Sequence, residues 1–129
     1  MTTQSTPAPA FRYAAVTLDC ADTAELSRFY AEMFGLPVAY TSEDFVFLAG
    51  KDGGPGLGFS RVADYRPPTW PDPAEQKQAH IEVGVDDLEA AEAHLLALGA
   101  TKPENQPQPD RWRVLLDPAG HPFCITTLV

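Results

Sequence analysis

Hydrophobic and polar positions alternate in two stretches of the chain, and each stretch gives way to a helical stripe. Residues 15–22 alternate small or apolar side chains with polar ones, the period-two pattern of a half-buried strand. Beyond Asp22, Leu26, Phe29, Tyr30, Met33 and Phe34 recur at helical spacing and form one apolar face. Asp22 and Glu25 make a capping-box pair, and Gly35 supplies a left-handed helix end. About half a chain length later the pattern returns. Residues 80–87 alternate, Leu88, Ala91, Leu95 and Leu98 form the stripe, and Gly99 ends it.

Short strand-like runs follow each helix. In the first half they are residues 37–40, 45–49 and 57–62, with the glycine-rich stretch 51–56 as a turn. The second half has a weaker run at 100–102, then 112–117 and 123–128, joined by the tight turn Asp117-Pro118-Ala119-Gly120. Each half therefore reads β-α-β-β-β. The predicted fold is α+β, two tandem βαβββ modules in one domain spanning 11–129. Module one covers 11–63, a Pro-rich connector 64–79, module two 80–129, and residues 1–10 form a flexible tail. A ferredoxin-like domain is the competing reading. Recurrence of strand, acidic cap, helix and terminal glycine in one order favours a duplication.

Composition narrows the function. A chain of 129 residues, 44% hydrophobic, is long enough to bury a core without disulfides or a structural metal. Eighteen acidic against nine basic residues, a net charge of −9, give the wrong field for nucleic acid. No apolar run approaches the roughly 18 residues of a membrane span. The first ten residues lack the basic start and apolar middle of a signal peptide, so a cytoplasmic protein is expected. Cys20 and Cys124 sit in apolar stretches and read as small buried hydrophobes rather than a disulfide framework.

Three stretches resemble the vicinal oxygen chelate superfamily, which includes glyoxalase I, bleomycin-resistance proteins and extradiol dioxygenases. They are Leu18-Asp19-Cys20-Ala21-Asp22 running into Leu26-Ser27-Arg28-Phe29-Tyr30, His80-Ile81-Glu82-Val83 running into Asp86-Asp87-Leu88, and Asp117-Pro118-Ala119-Gly120-His121-Pro122-Phe123-Cys124. The combination is similar to the glyoxalase-like branch. The resemblance implies that the paired sheets form an open cup and that two copies pair as a homodimer. It also implies that metal-dependent members place ligands near the start of the first strand and on the last strand of each module. On this chain those places fall on Ala15, Ser60, His80 and Cys124.

Ala15 cannot bind a metal and Ser60 is a poor ligand, which leaves His80 and Cys124 as chemically competent donors. Glu82 shares a strand face with His80, but the sequence shows no further partner. Two donors are too few, so the expectation is a site without metal or other cofactor, a divalent metal being the alternative. Cys124 as a nucleophile would need His80 as its base. The expected ligand-contacting residues of the cup are Ala15, Phe47, Phe59, Ser60, Trp70, His80, Glu82, Trp112 and Cys124. Trp70, set among prolines, is suited to a pocket mouth, a subunit contact or a gap in its own domain. Arg61, Arg111 and Arg113 either orient an acidic ligand or balance neighbouring acids. His94 is expected on a helix surface and His121 in an exposed turn.

The expected function is a metal-independent small-molecule binding protein whose aromatic-lined cup holds an apolar or planar compound, sequestering a toxic metabolite or antibiotic. The alternative is a divalent-metal-dependent lyase, isomerase or dioxygenase.

Overall fold

A computed structural model describes residues 8–69 and 79–127. Module one runs β1 (Ala15–Cys20), α1 (Thr23–Phe34), β2 (Val38–Thr41), β3 (Phe45–Leu48) and β4 (Gly56–Arg61). Module two runs β5 (Ile81–Gly84), α2 (Leu88–Leu98), β6 (Trp112–Leu116) and β7 (Pro122–Thr126). The architecture is α+β, with two βαβββ-like modules on two open sheets. The strand orders are β1-β4-β3-β2 and β5-β7-β6. In each module the strand before the helix lies parallel to the last strand, as β1 does to β4 and β5 to β7.

Both helix starts follow from their caps. Asp22 accepts a hydrogen bond from the Glu25 N–H at 3.0 Å, and Asp87 accepts from Ala90 N–H at 3.1 Å. Each satisfies a donor that the first turn leaves without a partner. Gly35, at φ 67°, ends α1 in the left-handed conformation that disfavours other residues.

The apolar stripe of α1 joins the modules. Leu26, Phe29 and Tyr30 are buried, and the Tyr30 ring stacks on Phe59 of β4 with centroids 5.7 Å apart. Phe29 meets Phe123 of β7 at 5.9 Å. One continuous core therefore includes Val46, Leu48 and Phe59 of the first sheet with Val83, Leu115 and Ile125 of the second. Period-two alternation then leaves the other face of each sheet available for a ligand.

Module two departs from the expected pattern after its helix. The run at 100–102 is reduced to a single bridge between Thr101 and Leu116. Pro103, Pro107 and Pro109 lack the N–H that a ladder requires, so the strand does not continue. Instead the Gln106 side-chain amide accepts from the Val114 N–H and donates to the Val114 carbonyl, both at 2.9 Å.

A buried polar group adds a second tie between the modules. The Tyr30 hydroxyl donates to Asp117 Oδ2 at 2.7 Å, while Asp117 Oδ1 accepts from the backbone N–H groups of Ala119 and His121. His121 is half-buried rather than exposed, correcting the sequence expectation. Its Nε2 lies 2.6 Å from the Asp19 carbonyl and 3.2 Å from the Tyr65 hydroxyl. The Asp117–Gly120 turn is thus fixed to the end of β1 and the start of the connector.

Candidate functional site

Three donor side chains converge on the open face of the second sheet. The strand register causes this: Glu82 of β5 and Cys124 of β7 are direct partners across the parallel ladder. His80 precedes β5 by one residue and shares the Glu82 face. One donor atom from each of His80, Glu82 and Cys124 lies within 4.8 Å of the other two. His80 Nε2 stands 3.2 Å from Glu82 Oε1. Exposure is graded: the Glu82 side chain is 51% exposed, that of His80 23%, while Cys124 as a whole is only 3% exposed. The thiol sits on the floor and the carboxylate at the rim.

This arrangement corrects the sequence count of two donors, because Glu82 supplies the third. Imidazole nitrogen, carboxylate oxygen and sulfur are the donor set of zinc and similar ions, and three protein donors with an open position match a catalytic rather than a closed structural site. The residues present fit a divalent metal.

Module one offers no counterpart. Taking Ala15 as the equivalent of His80, Thr17 matches Glu82, and the residue paired with Thr17 is Gly58. Ser60 pairs with Asp19, one pleat further along, so it is not the counterpart of Cys124. Aromatic rings occupy this face instead. A side-chain carbon on Gly58 would come within 2.8 Å of the Phe45 ring, and one on Gly56 within 2.7 Å of the Phe47 ring. Both rings lie over glycines that leave room for them.

The remaining expected site residues divide. Phe47 and Trp112 are half-buried, Phe47 on the open face of its sheet and Trp112 against Val114 and Cys124. Phe59 does not line the cup: it is 0% exposed and packs under Tyr30 in the core, because it alternates with Gly58 and Ser60. Trp70 lies outside the described residues. Arg61 pairs with Asp44 at 2.9 Å, and Arg113 with Glu89 at 2.7 Å and Glu92 at 3.3 Å. Those two arginines balance neighbouring acids. Glu89 is held below the usual carboxylate range by the Arg113 hydrogen bond and charge.

His80 and Glu82 also border an open crevice of about 520 Å³ between the modules. Val16, Leu36, Leu57 and Ile81 give it apolar walls. Its size falls in the roughly 300–1,000 Å³ range of small-molecule sites. Lys51, from the glycine-rich turn after β3, is a further lining residue.

The model for a glyoxalase-like domain matches residues 15–126. This chain belongs to the glyoxalase-like family. That places it in the vicinal oxygen chelate superfamily, in agreement with the resemblance drawn from its motifs. Solved structures carry the same fold. A glyoxalase/bleomycin resistance protein/dioxygenase family enzyme from Burkholderia phytofirmans PsJN aligns with TM-score 0.66 at 22% identity, covering 92% of this chain and 100% of that one. The fosfomycin resistance protein FosX from Mesorhizobium loti aligns with TM-score 0.65 at 18% identity, covering 90% of each chain. A FosX mutant from Listeria monocytogenes, complexed with Mn(II) and a dihydroxypropylphosphonic acid, aligns with TM-score 0.64 at 17% identity, covering 88% and 87%. No curated protein sequence matches this glyoxalase-like chain. Among the described residues, no helix of the domain is long and apolar enough to cross a membrane.

Proposed function

We propose that this glyoxalase-like domain binds a small molecule at a divalent metal held by His80, Glu82 and Cys124, in the manner of a metal-dependent lyase, isomerase or dioxygenase. The observation that carries the reading is the convergence of three unlike donor atoms within 4.8 Å on one open sheet face. The Mn(II) complex of the Listeria FosX mutant, which has the same fold, supports it.

When bound, the ion would supply Lewis-acid polarisation of an oxygen on the small molecule. The chain's own groups do the rest. His80 and Glu82, 3.2 Å apart on one strand face, present imidazole nitrogen and carboxylate oxygen to the same point. Cys124, fixed in β7 and covered by Trp112 and Val114, presents sulfur from an apolar floor that limits water. The adjoining crevice holds the body of the ligand.

Metal-free sequestration of the small molecule is the second reading, favoured by Ala15 and Gly58 standing where module one would hold donors. Metal analysis decides between them. Purified protein is dialysed against excess zinc, manganese, nickel or ferrous iron and then against buffer. Retention of about one ion per chain, lost in His80→Ala, is the expected result. Protein that keeps no ion under any of these conditions overturns the metal reading.

A further inference from the structure

The crevice beside the donor cluster has a charge pattern that points to its ligand. Its walls are apolar, and its polar groups come from different modules: Lys51 from the turn after β3, His80 and Glu82 from the start of β5. Arg61, Lys102 and Arg113 each pair with a carboxylate. Lys51, like Arg12, Arg28, Arg66 and Arg111, makes no ion pair among the described residues, but of these five it is the one that lines the crevice. It does not reach Glu82 even though both line one cavity.

The fold holds that ammonium at the crevice. Lys51 opens the one-turn 3₁₀ segment Lys51–Gly53, and the end of its side chain lies beside Gly35, the cap of α1. A side-chain carbon on Gly35 would stand 3.5 Å from Lys51 Nζ, so the glycine leaves a path for the lysine stem. The Lys51 ammonium has no hydrogen bond or ion pair among the described residues and so retains donors for another acceptor.

We propose that the crevice takes an apolar organic acid, its carboxylate on the Lys51 ammonium, its body along Val16, Leu57 and Ile81, and its far end at His80 and Glu82. A lysine on a flexible stem suits a single exposed anionic group, whereas a fork of two parallel hydrogen bonds would call for arginine. The inference rests on the proposed function for which end of the ligand reacts. Binding of the acid itself is measurable without metal.

The test uses full-length protein freed of metal with a chelator. It is titrated with 4-phenylbutanoate and, separately, with the neutral 4-phenylbutan-1-ol, following backbone amide signals by NMR. The acid is expected to bind more tightly than the alcohol and to shift the amides of Lys51, Gly56, Leu57 and Ile81. Lys51→Met, at an exposed turn position and with the apolar stem kept, should weaken the acid about fivefold, the upper end for one exposed ion pair. It should leave the alcohol unchanged. His80→Ala, scored on retained metal alone, should abolish metal retention. Equal binding of acid and alcohol, no response to Lys51→Met, or shifts confined to other residues overturns the proposal. Because retained metal is counted separately, a failed metal site and a failed acid site give different results.

Discussion

Tyr30 and Asp117, which are 87 positions apart in sequence, share a hydrogen bond of 2.7 Å with neither residue more than 3% exposed. Burial pushes the Asp117 carboxyl above its ordinary 3.8, while the Tyr30 hydroxyl and the His121 and Ala119 N–H groups pull it back down. Burial and the neighbouring Asp117 charge push the Tyr30 hydroxyl well above 10.0. Tyr30→Phe leaves the ring packing nearly intact but takes one donor from a buried carboxylate. The expected loss is about 1–3 kcal/mol, measured as a lower urea midpoint at unchanged slope. An unchanged midpoint would mean that water replaces the hydroxyl.

The same region makes the fold sensitive to alkali. Burial raises the Cys20 thiol from 9.0 to about 11 and the Tyr65 hydroxyl from 10.0 to about 12. Both groups are neutral when protonated, and the folded chain holds those protons longer than the unfolded one. Above pH 9 the unfolded state therefore binds fewer protons, and stability falls as pH rises toward 11 and beyond. Denaturant midpoints taken in steps from pH 8 upward should decline, and Cys20→Ala should flatten the first part of that decline. A midpoint that rises with pH contradicts the assignment.

Two glycines of β4 should respond unequally to alanine. At Gly56 the added carbon would stand 2.2 Å from the Leu48 carbonyl oxygen, a backbone atom in the neighbouring strand. At Gly58 the near atoms are the Thr17 hydroxyl and the tip of the Phe45 ring, both side chains able to rotate. Gly56→Ala is expected to cost about 3 kcal/mol and Gly58→Ala about 1 kcal/mol. Thermal unfolding of the two variants tests the order, and equal midpoints would refute it.

Substitution at the donor cluster gives a spectroscopic readout. Cobalt loaded into the wild-type protein should show the near-ultraviolet sulfur-to-metal band of thiolate ligation. Cys124→Ser should lose that band, and Glu82→Gln should keep it with affinity reduced at least about tenfold. A band that survives Cys124→Ser would overturn Cys124 as a ligand.

Most of the fold was legible because strand alternation, caps and terminal glycines repeat in the two halves, and α1 and β1 to β4 follow those signals to within a residue or two. The second module's missing strand was half visible in Pro103, Pro107 and Pro109, whose lack of N–H groups outweighs the weak run before them. The donor cluster was less legible. His80 and Cys124 stood out, but Glu82 joins them only through the β5–β7 register, and register is a long-range property that local pattern does not fix. A shift of one pleat likewise separated Ser60 from the place expected of it. Phe59 was misassigned for the related reason that its face depends on which neighbours carry the core. Lys51 gave no signal, since its role depends on where the turn lies relative to α1.

The amide of Gln106 on Val114 has a consequence for how the molecule behaves in a crowd. It occupies the outward-facing N–H and C=O of β6, and the Thr101 bridge occupies those of Leu116. One side chain thus does for β6 what a neighbouring strand would do. It denies a recruitment point to other chains, since bare edge groups template intermolecular sheets. β2, exposed along its whole length and carrying Val38 and Tyr40, has no such guard. Self-association by strand addition is therefore expected at β2 before β6, and removing the Gln106 amide would bare β6 as a further edge.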